Sequence, residues 1–137
     1  MTRKLLAVLL FVLSLTACSM SADTSSAEQG VPKFHEMLDA GRFDDIYAQS
    51  ADAMKNASSQ ADFVALLEAV HRKLGNTKSS SKTSWGVNYQ TSGTWVTLVY
   101  KTVYDSGDAQ EQFVFLVKGQ SALLAGYHVN SNALILK

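Results

Sequence analysis

The side chains in this sequence that could do chemistry are few, and their spacing argues against most of the chemistry they could do. Three histidines are present, at positions 35, 71 and 128. His35 and Asp39 stand four residues apart, which on a helix sets an imidazole beside a carboxylate. Zinc normally takes at least three protein ligands, and the sequence contains neither HExxH nor a second cluster, so the pair reads as a surface pair and no metal is expected. His71 falls near the C-terminal end of a helical pattern, where the helix dipole favours a cation. His128 sits in the final strand pattern with Leu124 and Gly126 on its face and Tyr127 on the other; on a concave sheet it would line a pocket with Tyr100 or Tyr104. Trp95, with Trp85, could add an aromatic platform, although large aromatics in strands usually serve the core. Tyr100, Tyr104, His128 and Trp95 are therefore the candidate pocket lining. Asp105, Asp108 and Glu111 gather around one hairpin turn and read as a solvated tip. There is no Gly-x-Ser-x-Gly elbow and no phosphate-cradling glycine loop, so neither catalytic activity nor a cofactor is expected.

The remaining reactive group is Cys18, the single cysteine of the chain. It follows a positive pair, Arg3 and Lys4, and an apolar run from Leu5 to Leu13, which together have the parts of an export signal. That run is far short of the roughly 20 residues a spanning helix needs. The segment Leu15-Thr16-Ala17-Cys18 resembles the lipobox of bacterial lipoproteins. The resemblance implies cleavage before Cys18, a diacylglycerol on its sulfur and usually a further acyl chain on the new amino terminus. Two or more chains hold a protein stably at a bilayer, whereas one holds it only marginally. Ser19 stands where an inner-membrane lipoprotein tends to carry aspartate, so the resemblance places the protein on the periplasmic face of the envelope, anchored in the outer membrane. With its one cysteine acylated, the domain has no disulfide and no thiolate site.

Residues 1–17 are thus read as a signal peptide and residues 18–30 as a lipidated N-terminus and flexible tether, because Ser19 to Gly30 is small and polar without apolar periodicity. A single domain spans 31–137. Removing 17 residues from 137 leaves 120, enough for one core. The mature chain keeps 10 basic and 12 acidic side chains and lacks the basic excess that nucleic-acid binding requires.

The elements that would position these residues follow from periodicity. Pro32 suits the first turn of a short helix whose stripe is Phe34, Met37 and Leu38, ending before Gly41. Phe43, Ile46, Tyr47 and Met54 predict a second helix over about Phe43 to Lys55. Phe63, Leu66, Leu67, Val70 and Leu74 predict a third, opened by a capping box at Ser59-Gln60-Ala61-Asp62 and closed by Gly75. Beyond Asn76 the composition turns to β-branched and aromatic residues. Trp85, Val87 and Tyr89 alternate as in a strand buried on one face. Trp95 to Tyr104 is apolar on both faces and central, Phe113 to Val117 is a third strand, and Leu123 to Val129 a fourth. The expected fold class is α+β, three N-terminal helices packed on a curved four-stranded antiparallel sheet. The tail Ala133 to Leu136 either extends the last strand or covers a sheet edge.

This order of elements, with Phe34-x-x-x-Leu38-Asp39-Ala40-Gly41-Arg42-Phe43-Asp44-x-x-Tyr47 and the ending Leu124-Ala125-Gly126-Tyr127-His128-Val129, resembles the cystatin-like fold of the nuclear-transport-factor-two superfamily, in particular its small exported bacterial domains of unknown function. The resemblance implies a cone-shaped sheet around a helix, and dimers across the sheet face are common in that superfamily. Some members are isomerases or dehydratases. The expected function is a membrane-anchored binding or accessory domain for a small apolar ligand or a protein partner. The alternatives are a periplasmic immunity protein that occludes a secreted toxin, and a small isomerase-type enzyme using Tyr100 and His128.

Overall fold

The computed structural model describes residues 16–136. The export-signal and acylation readings fall on residues 1–15 and on the Cys18 side chain, outside the described residues. Among the described residues four helices precede the sheet: α1 (Thr16–Asp39), α2 (Phe43–Ala48), α3 (Asp52–Ala57) and α4 (Gln60–Leu74). The strands β1 (Thr77–Gln90), β2 (Gly93–Tyr104), β3 (Gly107–Lys118) and β4 (Ser121–Asn130) follow, and α5 (Asn132–Leu136) closes the chain. The fold is α+β as expected, with one helix more before the sheet and one after it.

The first helix departs most from its sequence reading. It runs for 24 residues and takes Pro32 into its interior. Its backbone thus passes through the segment expected to be a tether. Ala27, Val31, Phe34 and Leu38, at spacings of four, three and four, make one stripe that is at most 3 % exposed, and burying that stripe outweighs the hydrogen bond a proline removes. The second predicted helix is broken in two. Ser50 Oγ donates to the Ile46 carbonyl at 2.7 Å, competing for the helix ladder, and the Ala51 amide leaves the helix to donate to Leu124 O of β4 at 2.9 Å. The third predicted helix is α4. Ser59 Oγ accepts from the Asp62 amide at 3.2 Å, and Gly75 ends the helix at φ +78°, a conformation that favours glycine. Phe63, Leu67, Val70 and Leu74 are buried, while Leu66 lies at the edge of the stripe and is 38 % exposed.

The strands form one antiparallel meander in the order β1-β2-β3-β4, each pair joined by a two-residue turn. Register breaks between Lys82 and Ser84 in β1, and opposite Val114 and Phe115 in β4, are bulges of the kind that bend a sheet. One face is covered by α1, and on it Val96, Leu98, Tyr100, Thr102 and Tyr104 of β2 alternate with half-exposed or exposed residues. Ala109, Glu111, Phe113, Phe115 and Val117 do the same in β3, which begins six residues earlier than its apolar run suggests. The strand expected to be buried on one face is instead an exposed edge: Trp85 and Tyr89 are 53 % and 55 % exposed. The tail Ala133 to Leu136 does not prolong β4, and Ala133 packs beside Gly107 at the start of β3. The tail forms α5, against which Lys73 Nζ donates to the Leu134 carbonyl at 2.6 Å.

Helix and sheet approach closely at Gly30, where a β-carbon would come within 2.5 Å of the Phe115 ring. Alanine there gains helix propensity of about 1 kcal/mol but forces an aromatic core residue to move. Gly30→Ala is therefore expected to lower the urea midpoint of unfolding, at a net cost of about 1–2 kcal/mol. Gly86→Ala, with nothing within 4 Å of its new carbon, is expected to leave the midpoint essentially unchanged.

Candidate functional site

The chemical centre of the molecule is a carboxylate that the sequence placed on the surface. Glu111 is fully buried, at 0 % exposure, in the interior of β3. Its position follows from the meander. The short turn after Tyr104 pairs Gly107 with Tyr104, so β3 is already laddered to β2 when the chain reaches Glu111 opposite Tyr100. Alternation with Ala109 and Phe113 then points it at α1 rather than at solvent. Asp105 and Asp108 do stay at the surface, paired with Lys78 at 3.6 Å and Lys101 at 3.4 Å.

Four donors converge on Glu111. The hydroxyls of Tyr104 and Tyr127 each donate to Oε1 at 2.6 Å. The Thr102 hydroxyl donates to Oε2 at 2.6 Å, and His35 Nε2 lies 2.7 Å from the same oxygen. A carboxylate offers about four lone-pair sites, so all are used. Behind Thr102 stands Ser80, its Oγ 2.8 Å from the threonine oxygen; because that oxygen's hydrogen points to Glu111, Ser80 is the donor of this pair. The rings of Phe34, Phe113 and Tyr127 pack around the cluster, with Phe34 4.7 Å from Tyr127 and 5.1 Å from Phe113 between centroids.

The electrostatics follow from this geometry. Burial by itself pushes the Glu111 carboxyl up, but the hydrogen bond and charge of His35, then the Thr102 and Tyr104 hydroxyls, outweigh it and hold the group below its ordinary value. Burial and the neighbouring carboxylate push the hydroxyls of Tyr104 and Tyr127 far above the ordinary tyrosine range. Around neutral pH the carboxylate thus stays ionised and the two phenols stay protonated. The cluster is a charge held by hydrogen-bond donors.

The residues singled out in the sequence are only partly brought together. Tyr104 is a member of the network. Tyr100 lies on the same face opposite Glu111 and is 9 % exposed; burial, then Glu28, raises its hydroxyl pKa. With His35, Asp39, Ser80 and Val31 it walls an open cleft between α1 and β1. His128 is exposed and pairs with Gln112, so it lies on the opposite sheet face from Tyr100 and Tyr104 and joins no pocket with them. Trp95 is half-buried on that opposite face too, and its indole N–H donates to Ser92 Oγ at 3.1 Å. The expected surface pair of His35 and Asp39 is likewise absent: His35 is 5 % exposed and turned to Glu111, while Asp39 accepts from the Thr77 amide at 3.0 Å and its hydroxyl at 3.1 Å. His71 packs its ring 5.9 Å from Phe43 at the end of α4. Among the described residues no group of three His, Cys, Asp or Glu side chains could hold a metal ion, and no helix is long and apolar enough to cross a membrane.

Glu111 and Thr102 were legible only through strand register, and His35 only through its spacing of four from Val31 and three from Leu38 on one helix face. The network's consequence for stability has a definite sign. A carboxyl whose folded pKa is depressed stabilises the fold above its unfolded value, near 4.5, and that contribution is lost as pH falls through the folded value. The wild-type chain is expected to lose stability below about pH 4.5 with a steep acid limb. Glu111→Gln, which turns an amide donor toward hydroxyl donors, is expected to cost about 3 kcal/mol at pH 7 and to flatten that limb, as read by urea denaturation at pH 7 and pH 4.

No curated protein matches the chain. A family model does, over residues 31–127, a span that opens four residues before His35 and closes on Tyr127, so it takes in every side chain that meets at Glu111. The chain belongs to DUF4019, a family of proteins of unknown function.

Proposed function

We propose that this chain is an exported lipoprotein, held to the periplasmic face of the envelope by acyl chains on Cys18, with Ser19 favouring the outer membrane. Its domain serves as a non-catalytic binding module of the cystatin-like, cone-shaped type. The observation that carries the binding reading is an apolar cleft of about 250 Å³ where α1 and α2 meet the ends of β3 and β4. Phe34, Met37, Ile46, Phe115, Ala122 and Leu124 line it, and Lys33 is its one charged wall residue. Pockets for drug-sized ligands begin at roughly 300 Å³, so the occupant is short: an apolar ring or a few methylenes, with room for an anionic end at Lys33. The sealed state of Glu111 supports the absence of chemistry, since every acceptor position on the carboxylate is already taken and both phenols hold their protons at neutral pH.

Two experiments test this reading. Wild-type protein recovered from cell envelopes is expected to carry acyl mass on a peptide beginning at Cys18, and Cys18→Ser to shift into the soluble fraction; a Cys18→Ser form still processed at that bond and still membrane-bound would remove the anchor. For the cleft, 1-anilinonaphthalene-8-sulfonate is expected to bind the folded protein, its ring against the apolar wall and its sulfonate at Lys33. Ala122→Trp, which fills the cleft from the sheet side, is expected to weaken that binding about tenfold, roughly 1.4 kcal/mol. Equal titration curves for the two proteins would reject the cleft as the binding site.

A further inference from the structure

Trp85 and Tyr89 are the two large aromatic side chains that the described residues leave mostly exposed, at 53 % and 55 %. They belong to one row. Trp85 pairs with Leu98, Val87 with Val96 and Tyr89 with Thr94, so all three stand on the helix-covered face, at the edge where the cover ends. Leu98 and Val96 beside them are fully buried.

The two strands that form this end carry no charge there, and Lys118 beside Gly93 is the nearest cation. From Thr83 to Tyr100 the sequence carries no Asp, Glu, Lys or Arg, in a chain that is 18 % charged. The opposite end, by contrast, holds Lys78, Lys101, Asp105 and Asp108.

The course of α1 connects this end to Cys18. At its C-terminal end Asp39 is bonded to Thr77, at the start of β1. Further back Glu28 pairs with Lys82. Eleven helical residues cover about 16 Å, and five strand residues about 17 Å, so the helix, followed backward, keeps pace with β1 followed forward. Gly30 lies against Phe115, in register with Val96 and Val87, so the backbone at Cys18, twelve residues and about 18 Å of helix further back, lies toward the end of the molecule that carries Trp85 and Tyr89. Of the helix residues that cleavage before Cys18 would leave ahead of Glu28, Asp23 is the one that carries a charge.

We infer that this end of the domain, the distal half of β1 beside the N-terminal half of α1, rests on the lipid bilayer, with the rings of Trp85 and Tyr89 seated among the headgroups. The inference rests on the acyl anchor at Cys18 proposed above. Tryptophan and tyrosine suit that depth because each presents an apolar ring and one polar group to a boundary that is wet on one side. The uncharged stretch of β1 that carries them meets the headgroup layer without stripping water from an ion. The anchor then restrains the domain in orientation as well as in position, since the acyl chains and the aromatic row meet the bilayer from the same end.

The chain has two tryptophans, at positions 85 and 95, so the test is spectroscopic. The full acylated protein, as wild type, Trp95→Phe and Trp85→Phe, is reconstituted in phosphatidylethanolamine and phosphatidylglycerol vesicles containing lipids with a nitroxide either on the headgroup or deep in the acyl chain. Trp85, alone in Trp95→Phe, is expected to shift its emission to the blue and to be quenched several-fold more by the headgroup nitroxide than by the deep one. Trp95, alone in Trp85→Phe, is expected to be quenched several-fold less than Trp85. Acylated protein that co-sediments with vesicles while Trp85 is no more quenched than Trp95 would overturn the inference and leave the anchor standing. Protein that lacks acyl mass on Cys18 and stays in the supernatant would remove the anchor and the inference with it. A blue shift without lipid that fades on dilution would assign the row to a second copy of the chain and overturn the inference too.

Discussion

One ionised carboxylate sealed in the core sets the terms for the rest of this fold. Taking a charge such as that of Glu111 out of water costs several kcal/mol unless donors replace the water it loses, and here the replacements come from three separate elements. His35 is supplied by α1, Thr102 and Tyr104 by β2, and Tyr127 by β4, while Glu111 itself stands on β3. Each contact is 2.6 or 2.7 Å long, so the helix and the three strands have little latitude relative to one another. A slip of one residue in the β2–β3 register would turn Glu111 to the other face and leave two phenols and an imidazole without their acceptor. The apolar packing of Phe34, Phe113 and Phe115 would fit more than one arrangement, whereas the polar centre fits one.

The polar centre and the open surfaces of the molecule are therefore distinct. Chemistry-bearing side chains are drawn inward and used up in holding α1 to the sheet. What reaches solvent is of another kind: an apolar cleft at the β3–β4 end, a charged rim around the β2–β3 turn, and an uncharged aromatic stretch of edge strand.

How much of this could be read from the sequence varies with the range of the interactions involved. The helix α4 was legible with its cap and its terminal glycine, because both depend on residues within four positions of one another. The central strand and the turns were legible for the same local reason. The length of α1 was not, since Ala27 is a core residue only because a sheet formed far along the chain covers it. Glu111 was hidden by the aspartates near it: at positions 105, 108 and 111 the three acids look like one turn, and only pairing with β2 separates the third from the other two. His35 was hidden by Asp39, a helical neighbour whose partner is in fact Thr77. His128 and Trp95 were placed in a pocket because a strand's two faces cannot be told apart when both carry apolar residues.

The meander has a consequence for how the molecule reaches this state. With every strand joined to the next by a two-residue turn, the sheet's pairings are close in sequence, a topology of low contact order that zips up quickly. The contact between His35 and Glu111, by contrast, spans 76 residues. The loop it closes is far longer than any hairpin turn and costs more chain entropy to close, and until it closes the carboxylate sits on an open sheet still in contact with water. Docking of α1 is thus the event that dries the core.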